Sequence, residues 1–289
     1  TSSDEVIKID GYNYDSVDKD TLEIGTGDNV INIYYTKRTD LSYKVNYLEK
    51  DTDKVLSPQK VKDGMTFGTV ITSSDEVIKI DGYNYDSVDK EKLTIGTGKN
   101  EINIYYTKRN DLSYTVNYLE KDTNKVLHEA KVQGGMTFEE VVNSADEVIT
   151  IEGYNYDSVD KEKLTIGTGK NEINIYYTKR NDLSYTVNYL EKDTNKVLHE
   201  AKTVDKQTFG DTVTETAIDV QGYNKVDPTS QNLTVTADPA ENVITFYYTK
   251  RTDLSYTVNY LEKDTNKVLH EAKTVDKQTF GDTVTETAI

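Results

Sequence analysis

The chain contains no cysteine, no tryptophan, three prolines and three histidines. Without cysteine neither disulfides nor thiol chemistry contributes, an absence common in reducing compartments and also in many exported bacterial proteins. Positive charge is scarce too: 34 Lys and Arg against 51 Asp and Glu leave a formal charge of −17 and a pI near 4.7. No basic patch stands out, which argues against nucleic acid as a partner and against attraction to an anionic membrane. Nor is there an apolar run near the roughly 20 residues of a membrane helix, so no membrane insertion is expected in this segment. No signal peptide or anchoring tail is visible, and a window from a longer protein would lack both.

What the chain has is a period. INIYYTKRNDLSYTVNYL at Ile102 to Leu119 recurs at Ile31, at Ile173 and, as ITFYYTKRTDLSYTVNYL, at Ile244, each 71 residues on. A fixed period of that size means a tandem array. Three whole repeats are expected, 41 to 111, 112 to 182 and 183 to 253. Residues 1 to 40 match the second part of a repeat and 254 to 289 the first part of another. The half-repeats read as the ends of a window cut from a longer array. The other reading is head-to-tail self-association, one chain's end completing the next chain's start, although the two halves overlap by several residues near TSSDEVI.

In the second repeat, Ser113 to Leu119 alternates, with Tyr114, Val116 and Tyr118 on one face, the pattern of a half-buried strand. EKDTNK is a turn in which Asn is suited to a left-handed conformation. Val126 to Val132 returns as a more polar, edge-like hairpin partner, and Gly134 and Gly135 are expected to end it. TFEE at Thr137 to Glu140 fits a capping box, and Phe138, Val141 and Val142 at i, i+3, i+4 predict a short helix. Gly153 marks a bend, Leu164 to Ile166 a short strand, GTGKN a turn, and Glu172 to Thr178 the last strand with Ile173, Ile175 and Tyr177 inward. The third repeat is two residues shorter before its GYN and regains the length with ADPAEN. One helix on a sheet is an α+β pattern. A core this small, without disulfides, must draw on aromatics, and 23 Tyr supply them.

SYTVNYLEKDTNKVL, TFEEVV, EGYNYDS and INIYYTK together resemble the mucin-binding-protein (MucBP) repeats of Gram-positive surface proteins, over all three whole repeats and both halves. KDTNK lacks the Gly common in that family's first turn. The resemblance implies tandem β-grasp, ubiquitin-like repeats, with one short helix on a mixed sheet whose first and last strands lie parallel at its centre. With the short joint TKRND, free of Gly and Pro, that implies an extended rod advancing roughly 35 to 45 Å per repeat, given about 33 Å for a ten-residue strand.

Chemistry is sparse. No nucleophile recurs with a His and a carboxylate, and His128, His199 and His270 are one repeat position seen three times, so no enzyme is expected. The EKDTN acids lack the Gly and final Glu of an EF-hand loop, and GTGKN lacks a following helix and the Lys-Ser/Thr of a phosphate loop. No cofactor or metal is therefore expected. For ligand binding the candidates are Tyr154, Asn155, Tyr156 and Asp157, aromatic faces beside polar groups that suit a saccharide. The competing reading is Tyr154 in the core with the others in a loop. The functional expectation is a structural stalk or fibre of an extracellular cell-surface adhesin, attached to the cell wall through regions outside this segment. The alternative is a multivalent adhesin binding mucin or other glycans.

Overall fold

The computed structural model describes residues 1–287. The chain divides into two compact units. One comprises Thr1–Val116, Ala130–Asp146 and Lys161–Ile173; the other comprises Asn117–Glu129, Glu147–Asp160 and the residues from Asn174 onward.

In the first unit, the repeat from Leu41 begins with an opening strand, Leu41–Glu49, whose alternation turns Leu41, Tyr43, Val45 and Tyr47 inward. The chain reverses through Asp51 and Asp53, both at positive φ, a conformation that short polar side chains tolerate. Glu49 N–H donates to the Lys54 carbonyl, 2.8 Å, to close this turn. A return strand, Val55–Met65, then pairs antiparallel with the opening strand. An outer strand, Tyr83–Val88, lies antiparallel to the closing strand, Glu101–Lys108, and the closing strand runs parallel to the opening strand, from Lys44↔Glu101 to Glu49↔Tyr106. The sheet order is therefore return, opening, closing, outer, with the two ends of the repeat side by side at its centre.

A second, two-stranded sheet, Val70–Thr72 with Lys92–Thr94, covers the inner face. Leu93 and Ile95 meet Tyr43, Val45, Tyr47, Ile102, Ile104 and Tyr106 in one buried cluster, with Phe67 and Ile71 packed on its margin. In the second unit, the opening strand Leu183–Glu191 and closing strand Val243–Lys250 repeat the parallel pairing, Thr186↔Val243 to Glu191↔Tyr248. There Phe246 takes the place of Ile104 and stacks on Tyr189 at 6.3 Å.

Two expectations need correction. The helix predicted from Phe138, Val141 and Val142 is absent: among the described residues the helical segments are three short 3-10 turns, Ser2–Glu5, Ser73–Glu76 and Ser144–Glu147. The sheet is therefore covered by strands, and the architecture is nearly all β. Half of the capping box does form, Thr137 N–H donating to Glu140 Oε2 at 2.8 Å. It closes a turn, because Glu139 sits at φ 64° and bonds across to the Ile166 carbonyl. Three apolar positions cannot offset the cost of helix nucleation, and Val141 and Val142, both β-branched, continue as strand Val141–Asn143. Gly134 and Gly135 do not end the return strand either; it runs from Val126 to Met136, and Gly135 takes φ +72° within it.

The two half-repeats keep their strands. Tyr12–Val17 pairs with Ile33–Lys37, and Leu254–Leu261 with Val268–Gln278. In the first, Ile24 is 77% exposed where its counterpart Ile95 is fully buried. No described helix is long and apolar enough to cross a membrane.

Candidate functional site

The segment singled out for ligand binding lies on the outer strand Tyr154–Val159, at the margin of its sheet, with Tyr154 opposite Lys179 and Tyr156 opposite Tyr177. Tyr154 is half-buried. Its hydroxyl donates to Glu120 Oε1 at 3.3 Å, and its ring stands edge-on to Phe209 at 5.6 Å. Burial, with the Glu120 carboxylate beside it, pushes its phenol up. Asp157 forms an ion pair with Lys121 at 2.8 Å and accepts from Ser158 Oγ, and these contacts hold its carboxyl below the usual range. Asn155 is exposed, and Tyr156 is half-exposed with its ring edge-on to Tyr177 at 6.3 Å. Tyr154 and Asp157 are thus held by polar contacts to neighbouring side chains, whereas Asn155 and Tyr156 are open to solvent.

The counterpart segment in the first repeat borders a cavity of about 550 Å³ whose walls include Asp81, Asn84, Tyr85, Tyr106, Arg109 and Asp111. The Tyr106 hydroxyl fixes one wall, donating to the Ile78 carbonyl at 2.9 Å and accepting from the Ile78 N–H at 3.2 Å. Arg109 Nε and Nη2 donate to the two oxygens of Asp111 at 2.9 and 3.0 Å, leaving a planar charged pair beside an aromatic face. Such a surface can hold a polar ligand through hydrogen bonds and ring contact. A smaller cavity, about 470 Å³, occupies the same place in the N-terminal half-repeat, between Asp10, Asn13, Arg38 and Asp40.

Next to this surface, consecutive repeats meet in a contact that the sequence reading missed. Gly82, at φ +79°, lies so close under the Phe138 ring that a Cβ there would come within 2.4 Å of it. Tyr83 meets the same ring edge-on at 5.6 Å. Arg109 N–H donates to the Gly82 carbonyl at 2.9 Å, and the Arg109 carbonyl accepts from Phe138 N–H at 2.8 Å. The Thr168 hydroxyl donates to Asp81 at 2.7 Å, and Lys108 pairs with Glu139 at 2.9 Å. Burial, with the Glu139 and Glu49 carboxylates nearby, pushes the Tyr83 phenol up to about 12. An edge-to-face ring pair contributes about 1 kcal/mol beyond area burial, whereas a part-exposed ion pair contributes roughly 0.2–1 kcal/mol and is screened by salt. The ring contact therefore dominates. Its only sequence signal is that GY and TF recur together at the same period.

Inside the first repeat a buried carboxylate was also missed. Glu76 accepts from Tyr43 Oη at 2.8 Å and from Lys60 Nζ at 2.5 Å. In the third repeat, whose sequence is two residues shorter before GYN, Glu215 on the strand Thr212–Thr216 takes over this role with Tyr185 and Lys202. The GTGKN turn is held by Asn100, whose side chain accepts from Gly96 N–H and donates to the Ser42 and Gly96 carbonyls. His199 lies exposed on the return strand Val197–Gln207, its ring edge-on to Tyr189 at 5.5 Å. Among the described residues no group of three or more His, Cys, Asp or Glu could hold a metal ion.

No protein-family model matches the chain, and no curated protein matches it. Among solved structures it is similar to "Streptococcal High Identity Repeats in Tandem (SHIRT) domains 3-4 from cell surface protein", at 19% identity over 48% of this chain and 98% of that one, with a TM-score of 0.20. It is also similar to "Crystal structure of Mub-RV", at 16% identity over 73% of this chain and 99% of that one, with a TM-score of 0.19. At TM-scores this low neither likeness bears on what this chain does.

Proposed function

We propose that this chain is a structural stalk or fibre of a bacterial cell-surface adhesin. It is built from tandem MucBP-like, β-grasp repeats that follow one another as an extended rod outside the cell. The observation that carries this reading is the parallel pairing of opening and closing strands, Lys44↔Glu101 in the first repeat and Thr186↔Val243 in the third. Parallel neighbours at the sheet centre make the chain enter a repeat at one pole and leave at the other. A pull on the ends then loads the bonds between those strands together, in shear, which suits a tether under flow. Small-angle scattering on chains of one, two and three repeats tests this. The largest dimension should grow by roughly 40 Å per repeat, and a dimension that stays constant as repeats are added would sink the reading.

The cavities beside Tyr85 and Asn13 favour a second reading, a multivalent adhesin. In it Tyr154, Asn155, Tyr156 and Asp157 and their counterparts each hold a mucin or other glycan weakly, and repetition supplies avidity. Saturable binding to immobilised mucin that strengthens with repeat number and falls on Tyr156→Ala and Tyr85→Ala would support it. Silence at high protein concentration would leave the stalk alone.

A further inference from the structure

The same contact between consecutive repeats occurs four times, and every instance lies within a single compact unit. Phe67 covers Gly11 and Tyr12, Phe138 covers Gly82 and Tyr83, Phe209 covers Gly153 and Tyr154, and Phe280 covers Gly222 and Tyr223. Each of the four glycines has φ between +76° and +82°, and at each an added Cβ would fall 2.4 to 2.5 Å from the ring. The joint arginine is stitched to both sides by its backbone every time: Arg38, Arg109, Arg180 and Arg251 donate N–H to the glycine carbonyl of one repeat and accept from the phenylalanine N–H of the next.

We propose that this joint is a folding interface, whose partner on each repeat's Gly-Tyr surface is the Thr-Phe turn of the repeat that follows. The turn supplies a missing piece of apolar cover, so each repeat's stability is coupled to that of its C-terminal neighbour. Phe67 shows how the coupling works. Its ring packs against the buried cluster of its own repeat and also against Tyr12 of the preceding one. Unfolding either repeat removes a wall from the other. A flexible linker would leave the two sides independent, but here the linking residue has both its N–H and its carbonyl bonded across the joint.

The array contains its own comparison. At the first two joints the hydroxyls of Thr97 and Thr168 bond Asp10 and Asp81 at 2.6 and 2.7 Å. At the third, Glu152 stands where Asp81 does and Ala237, two residues after Val235, stands where Thr168 follows Ile166, so the third joint has no hydroxyl at that place. Phe209, Gly153 and Arg180 keep the shared geometry regardless. The ring and the backbone stitch are therefore the constant parts, and the threonine is accessory. Coupling of this kind belongs to the joint and holds for a stalk and for an adhesin alike.

Hydrogen exchange read by mass spectrometry on the full chain tests it. The peptide 78–92 spans Gly82 and Tyr83 and differs in sequence from its counterparts at 7–21 and 149–163, so it can be followed alone. Phe138→Leu should speed exchange in 78–92 by about ten-fold or more, through easier local opening, while a peptide covering 241–250 keeps the parent rate. Reciprocally, Gly82→Ala should speed exchange across 130–145 in the following repeat. Parent-like protection of 78–92 in Phe138→Leu overturns the proposal. Phe138→Ala provides a second arm: if the second repeat unfolds outright, 78–92 must lose protection with it, and 78–92 remaining protected beside an unfolded neighbour overturns the proposal equally.

Discussion

At the residue scale the most consequential group is Glu76, a carboxylate only 8% exposed in a core otherwise apolar and phenolic. Burial works to raise its pKa, but donation from Lys60 and Tyr43 outweighs that and holds it below the usual 4.5. A carboxyl depressed on folding contributes stability above its unfolded pKa, and that contribution is lost as pH falls through the lower folded value. Lys60 is shifted up from 10.5, chiefly by its bond to Glu76, so its share is present below 10.5 and is lost as pH rises past the folded value. Glu76→Gln should therefore cost about 2 kcal/mol at neutral pH, a typical value for hydrogen bonds to a charged group. Its difference from the parent in urea midpoint should shrink as pH drops below 4.5. A gap that stays constant down to acid conditions would show that the charge of Glu76 contributes nothing.

Among the elements, the return strands offer a natural substitution series. Gly64 and Gly135 hold φ of +70° and +72°, and at the matching place in the third repeat Lys206 holds +59°. A left-handed non-glycine residue costs about 1–2 kcal/mol locally, offset in part by the chain entropy that glycine loses on folding. Lys206→Gly should then raise the third repeat's denaturation midpoint, by a net gain of up to about 1 kcal/mol; a fall would mean that the lysine side chain packs better than its backbone geometry implies. These return strands also show what was legible beforehand. Alternation of Tyr, Val and Ile identified the opening and closing strands, because a period of two with one face buried leaves a strong mark. The parallel central pairing came only from the family resemblance, since strand order is not written in local pattern. The helix was misread because Phe138, Val141 and Val142 satisfy helical spacing, while the residue that ends any helix there, Glu139 at positive φ, looks like a helix former. At the candidate site, Tyr154 was recognised as either core or ligand contact. Its actual neighbour, Phe209, lies in the following repeat, beyond the reach of any window within one repeat.

For the whole molecule, the repeats' near-identity has mechanical and associative consequences. Stretching the chain from its ends should give unfolding steps of roughly 195–215 Å each, the length of about 71 residues at 3.3–3.6 Å apiece less the roughly 40 Å a folded repeat already spans. Occasional steps of twice that length should appear, since Leu254–Ile289 repeats Leu183–Ile218 residue for residue and neighbours this alike exchange strands; force spectroscopy without any double steps would contradict this. A polypeptide of these 289 residues alone would leave a sheet edge free at Ile33–Lys37 and another at Leu254–Leu261, whose counterparts lie side by side inside every whole repeat. Sedimentation should accordingly reveal species heavier than 32.8 kDa that grow with concentration and vanish when residues 1–40 are removed. A single monomeric boundary at all concentrations would show that the edges stay apart.

The uniformity of the Phe-over-Gly junctions has a last implication, for heredity. Because any copy presents the same face forward and the same face behind, a slip in copying that duplicates or deletes one full period brings together surfaces that already match. Lineages could lengthen or shorten such an array in whole units, with no new boundary to be optimised afterwards.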